Sequence, residues 1–185
     1  MCFVLSTGTQ LFVVGGDPTT SNFDVEVVDL SKSNVTCPKP ADCPLKGSPV
    51  STFMGDKVIV CGGQNGSFIS TNQCFNYDKD LNVWKETFSL KEIRAYAAAV
   101  QLTPEKWWIT GGFSNHGVLQ STEMFTLGSG IESFMDLPVQ LHSHNLVKIN
   151  SNHVILLGGK AIQCTLYLLI YKSLISASLL YVSFV

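Results

Sequence analysis

The sequence predicts an all-β chain assembled from about four copies of one small unit. Two observations carry this. Four largely apolar tetrads, at residues 11–14, 58–61, 107–110 and 154–157, each run into a glycine pair. The pairs are Gly15-Gly16, Gly62-Gly63, Gly111-Gly112 and Gly158-Gly159, at spacings of 47, 49 and 47 residues. Between residues 1 and 160 nothing sustains a helical period. Short apolar or alternating runs bounded by Gly, Pro, Asn and Asp instead read as strands and hairpins.

The elements follow one order: approach strand, turn, glycine-ended strand, polar loop, third strand, short fourth strand. The first unit, 1–47, has a third strand at 25–29, and Pro38, Pro40 and Pro44 fill the region after it. The second, 48–93, is the fullest copy, with strands at 50–53, 58–61 and 74–78 followed by Trp84. In the third, 94–140, the stretch 91–100 is the best helix candidate of the chain. Residues 95–102 nevertheless keep phase with strands of two other units and are assigned as strand. Ile131 and Phe134 stand near the slot of Trp84, and Leu45, Arg94 and Leu141 share another slot. The fourth unit, 141–160, loses the recognisable pattern after Gly159, so the two end units are expected to be incomplete.

The tail, 161–185, is of unsettled structure at this level. Residues 166–185 contain one charge, Lys172, and are long enough for a transmembrane helix. They also keep phase, since Tyr171-Lys172 follows Gly158 at the distance at which Val28-Asp29 follows Gly15. Residues 166–171 and 179–184 then become the last two strands. A terminus unrelated to the repeat is the third reading. The opening residues lack the basic region of a signal peptide, and residues 11–14 already belong to the first unit.

Composition narrows the function. The 185 residues are 45% hydrophobic and 14% charged, with a formal net charge of −2. So much apolar and so little charged content excludes a disordered polar tail. With Arg94 as the one arginine beside scattered lysines, the chain lacks the basic footprint of a nucleic-acid binder.

The glycine pairs, Tyr77-Asp78, Trp84 and Arg94 resemble the kelch repeat over roughly residues 10–160. The resemblance implies four-stranded blades, here a partial β-propeller, because propellers close with 4–8 blades. It gives packing roles to Gly15, Gly16, Gly62, Gly63, Tyr77, Asp78, Trp84, Gly111, Gly112, Gly158 and Gly159. It also implies a non-catalytic role in protein–protein interaction. The loop after the second strand and the link after the fourth emerge on one face, which offers Phe23, Asn65, Phe68, Arg94, Phe113, Asn115 and His116 as partner contacts. Open blade edges invite self-association. A membrane-anchored or secreted structural or adhesion module is the alternative expectation, with membrane contact through residues 166–185.

Cys37 and Cys43 share the loop CPKPADC and are a candidate disulfide, which would imply an oxidising compartment. Cys61 is expected to be a buried thiol. Asn34-Val35-Thr36 and Asn65-Gly66-Ser67 are glycosylation sequons. No catalytic constellation is legible, and no cofactor or metal is expected. The glycine pairs open no helix and carry no phosphate-loop lysine. A galactose-oxidase-like copper enzyme, the minor alternative, would need converging tyrosine and histidine ligands. His142 and His144, two apart on one strand face, are a weak form of that signal.

Overall fold

A computed structural model describes residues 2–6, 9–17, 22–31, 40–54, 57–65, 67, 69–151, 153–161, 166–172 and 178–184. Among them the chain is all-β, built of antiparallel sheets without a helix. Among the described residues no helix is long and apolar enough to cross a membrane. The chain divides into two compact units, Met1–Ala95 and Tyr96–Val185.

In the first unit, β1 (Cys2–Ser6), β2 (Gln10–Asp17) and β3 (Asn22–Asp29) form a three-stranded sheet in chain order. The next sheet joins β4 (Val50–Met54), β5 (Lys57–Cys61), β6 (Gln73–Asp78) and β7 (Val83–Ser89), again in chain order. Burial follows position in the sheet. On β5 all but Lys57 are buried, because hydrogen-bonded neighbours flank the strand and both its faces are covered. The edge strand β7 is exposed along most of its length. Phe12 and Val27 pack with Cys43, Leu45, Val58 and Val60, and Phe53, Phe75, Tyr77 and Trp84 cover that cluster. Trp84 meets the Tyr77 ring at 5.2 Å and donates its indole N–H to the Ala41 carbonyl at 2.8 Å. The tryptophan thus joins the second sheet to the segment that leads into it, a half-buried ring with a satisfied polar edge.

The β6–β7 turn explains Tyr77-Asp78. One Asp78 carboxylate oxygen accepts from the Asp80 and Leu81 amides, each at 3.1 Å, and the other pairs with Lys85 at 2.7 Å. Those bonds hold the Asp78 carboxyl below its ordinary range, the Lys85 hydrogen bond contributing most. Asn82 sits in the left-handed region (φ 52°), which Asn tolerates better than most side chains. Its Oδ1 accepts from the Tyr77 hydroxyl and from the Ala41 amide.

In the second unit, β8 (Ala98–Thr103), β9 (Lys106–Thr110), β12 (Thr122–Thr126) and β13 (Gly130–Phe134) repeat the arrangement, with β10 (Phe113–Ser114) and β11 (Gly117–Val118) as a small hairpin in the loop. Strand β8 begins three residues later than the sequence predicts. Tyr96, at φ +55°, is left-handed and lies two positions before the strand. The last sheet holds β14 (His142–Asn150), β15 (His153–Lys160), β16 (Leu166–Lys172) and β17 (Ser178–Phe184). The fourth unit therefore has four strands, not the truncated set expected, and residues of the tail supply the last two. Leu102, Trp108, Met124 and Val154 form one core cluster, which Phe134 joins through an edge-on contact with Trp108 at 6.1 Å. Leu137, Leu141 and Leu156 form another.

The cysteines depart from expectation. Cys61 and Cys74 are disulfide-bonded, with Cα atoms 4.1 Å apart, and both are fully buried. They oppose each other across β5 and β6. The adjacent Gly62 amide donates to the Gln73 carbonyl at 2.9 Å, so Cys61 and Cys74 occupy the non-hydrogen-bonded position, where antiparallel side chains come closest. The expected Cys37–Cys43 pairing is corrected: Cys43 is a free, buried thiol, pushed by burial up to about 12. Cys37 lies outside the described residues.

Candidate functional site

In an antiparallel meander the loop after the second strand and the links before the first and after the fourth lie at one end. The same backbone framework recurs there in both units. In the first, the Gly63 amide donates to the Arg94 carbonyl (2.8 Å), Arg94 to Thr71 (3.3 Å), Thr71 to Gly63 (3.0 Å) and Leu90 to Asn72 (2.8 Å). In the second, Gly112 donates to Leu141 (2.8 Å), Leu141 to Leu119 (3.0 Å), Leu119 to Gly112 (2.8 Å) and Leu137 to Gln120 (2.8 Å). Every donor and acceptor finds its counterpart 47–49 residues on. The glycines are required by this closeness. A Cβ on Gly62 (φ +67°) would lie 2.4 Å from the Arg94 carbonyl oxygen, and one on Gly111 (φ +55°) 2.3 Å from that of Leu141.

A second recurring feature is absent from the glycine pattern. Ser48, Tyr96 and Ser143 have φ of 59°, 55° and 56° at intervals of 48 and 47 residues. Ser48 and Tyr96 stand two positions before β4 and β8, and Ser143 is the second residue of β14. The Ser143 amide donates to the Tyr96 carbonyl at 2.8 Å, tying two of them together. Strained backbone of this kind persists only where its surroundings fix it.

The expected contact residues fare differently. Phe113, Asn115 and His116 are exposed at the loop end of the second unit, where Ser114 Oγ accepts from the His116 amide at 3.1 Å. Asn65 is half-buried, its Oδ1 accepting from the Ser67 and Ile69 amides, which makes it a loop-forming residue. Arg94 is only 1% exposed, a correction to its expected availability, and Leu45 and Leu141 of the same slot are buried as well. Phe23 lies in β3, paired with Gly16, and Phe68 falls outside the described residues.

Around Phe113 the structure gathers His142 with two residues that the sequence did not single out, Tyr96 and Lys160. The His142 ring lies edge-to-face with Phe113 at 6.2 Å and with Tyr96 at 6.4 Å. Its Nδ1 is 3.0 Å from Ser143 Oγ. Lys160 stands directly across from His142 in the β14–β15 register and is exposed. Burial and then the Lys160 charge push the His142 imidazole below its usual pKa. The available signal was the repeat itself: Lys160 follows its glycine pair as Phe113 follows the preceding one.

His144 plays a different part from its neighbour. It is 1% exposed, its Nε2 meets Thr110 Oγ1 at 2.7 Å, and its Nδ1 has no partner. Burial, helped by His142, lowers it to about 4, so it is neutral at pH 7. Among the described residues no group of three His, Cys, Asp or Glu side chains is placed to hold a metal. At the opposite end of the second sheet an open cleft of about 280 Å³ is lined by Lys57, Asn76, Asp78 and Lys85 among others. Two of its charges are already paired, Lys85 with Asp78.

These features define an all-β chain in which two sheets carry the same backbone loop framework with different side chains upon it. No protein-family profile matches the chain. It is similar to the spermatocyte protein spe-26 of Caenorhabditis elegans, 28% identical over 115 residues, which are 59% of this chain and 20% of that protein. The chain thus spans about a fifth of that relative's length. Among solved structures it is similar to YjhT, with a TM-score of 0.81 at 12% identity, over 97% of this chain and 64% of that one. At that identity the two share a fold. The chain spans somewhat under two thirds of YjhT.

Proposed function

We propose that the chain is a non-catalytic segment of a kelch-type β-propeller that binds a protein partner through its loop end. The observation that supports this is the repeated backbone framework, which fixes Gly63, Arg94 and Thr71 in one unit and Gly112, Leu141 and Leu119 in the other. It leaves Phe113, Asn115 and His116 exposed. Such a division between a fixed scaffold and free loop side chains suits recognition. The test is comparative affinity capture with quantitative mass spectrometry. A defined protein should be retained by the wild-type chain and by a Lys79→Ala/Asp80→Ala variant at the opposite turn. A Phe113→Ser/Asn115→Ala/His116→Ala variant should lose it. Retention by the loop variant with loss by the turn variant would overturn the assignment.

The buried Cys61–Cys74 disulfide favours a second reading, a secreted or membrane-displayed module, since such bonds persist in oxidising compartments. Alkylation of Cys61 and Cys74 in rapidly quenched cells would argue against it; full protection would support it.

A further inference from the structure

We propose that His142 and Lys160 together receive a carboxylate from an acidic segment of the partner protein. The inference rests on the loop-end binding argued above and names the chemistry of what binds there.

His142 and Lys160 are direct cross-strand partners at the loop end of β14 and β15. Directly opposed residues of an antiparallel pair have Cβ atoms about 5 Å apart, and like charges so placed destabilise a sheet. Among the described residues the groups that face His142 are Lys160 from β15, His144 from β14, and the rings of Tyr96 and Phe113, none of them a carboxylate. Residues 162–165, which follow Lys160 closely in the chain, contain no charged side chain.

The geometry suits an incoming oxyanion. Ser143 Oγ engages His142 Nδ1, which orients the ring and leaves Nε2 to meet a ligand. The Tyr96 and Phe113 rings wall the imidazole and lower the local dielectric, which strengthens a charge pair formed there. The seat is prepared, because Ser143 N–H is tied to the Tyr96 carbonyl and Gly112 N–H to that of Leu141. Two single-point donors, Nε2–H and the Lys160 ammonium, match the two oxygens of one carboxylate. A phosphate offers a third oxygen that this pair of donors does not match.

The test uses the full chain and an octaglutamate peptide, with octaglutamine and inorganic phosphate as controls, followed by histidine Cε1–Hε1 NMR titration. Octaglutamate alone should raise the His142 titration midpoint and leave His153 unmoved. Its binding should tighten as pH falls through that midpoint. Lys160→Met should weaken binding about threefold to tenfold, and His142→Gln should remove the pH dependence, with thermal unfolding of both variants no lower than that of the wild type. Absence of octaglutamate binding, or binding that leaves His142 unmoved and tolerates both substitutions, overturns the inference. Equal binding of phosphate overturns its carboxylate assignment. If these results coincide with partner capture that still needs Phe113, Asn115 and His116, the loop-end reading survives alone. If capture also ignores those residues, both fail.

Discussion

At the scale of single residues, His144 converts burial into acid sensitivity. Its side chain is held neutral at about 4, against an ordinary value near 6.5. Between those pH values the unfolded chain takes up a proton that the folded chain refuses. Stability present above pH 6.5 is therefore lost progressively as pH falls toward 4, and His144 contributes no further loss below that. A shift of this size corresponds to about 3 kcal/mol. His144→Gln should flatten the dependence while keeping a polar group near Thr110. Urea unfolding at pH 7, 5.5 and 4.5 measures it. Equal acid slopes for the two chains would assign the sensitivity elsewhere. Arg94 and Cys61 make a related point about reading residues from sequence. Each lies at a recognisable place in the repeat, yet burial of the one and the cross-strand partner of the other depend on contacts between distant positions.

At the scale of elements, the loop framework depends on glycine for two separable reasons. Gly111 combines a left-handed φ with a carbonyl 2.3 Å from where a Cβ would sit, whereas Gly128, at φ +84°, has open space around that position. Gly128→Ala should therefore cost only the conformational strain, about 1 kcal/mol. Gly111→Ala must also displace the Leu141 backbone and should cost roughly 2–4 kcal/mol. Denaturant titration of both variants checks this, and equal losses would mean that the close approach contributes nothing. The glycine pairs, the hairpin turns and the phase of strands β4–β9 were all legible in the sequence, because glycine and turn residues mark backbone geometry directly. The left-handed Ser48, Tyr96 and Ser143 were not, since side-chain-bearing residues carry no such mark. Nor could β16 and β17 be separated from a membrane helix. A continuous apolar run with one lysine satisfies either structure, and only the pairing with β15 distinguishes them. The His142–Lys160 juxtaposition was hidden for a similar reason, being a matter of strand register across eighteen residues of chain.

At the scale of the whole molecule, the repeat should appear as a periodic profile of stability. Strands β5 and β9 are hydrogen-bonded on both sides and buried at every position after the first lysine. Strands β7 and β13 lie at sheet edges and hold no buried residue, β7 being mostly exposed and β13 half-buried or exposed throughout. Opening an edge strand breaks one ladder and uncovers little apolar surface, while opening β5 or β9 breaks two ladders and uncovers Val60, Cys61, Trp107 and Ile109. Local opening free energy scales with these losses. Native-state hydrogen exchange should therefore place the slowest amides in β5 and β9 and much faster ones in β7 and β13. The alternation should repeat at the 49-residue interval that separates Gly62 from Gly111. The disulfide should add protection to β5 and β6 that β9 and β12 lack, so reduction should selectively accelerate exchange in the first pair. A profile that is flat across each sheet, or slowest at the edges, would show that stability does not follow the periodicity visible in the sequence.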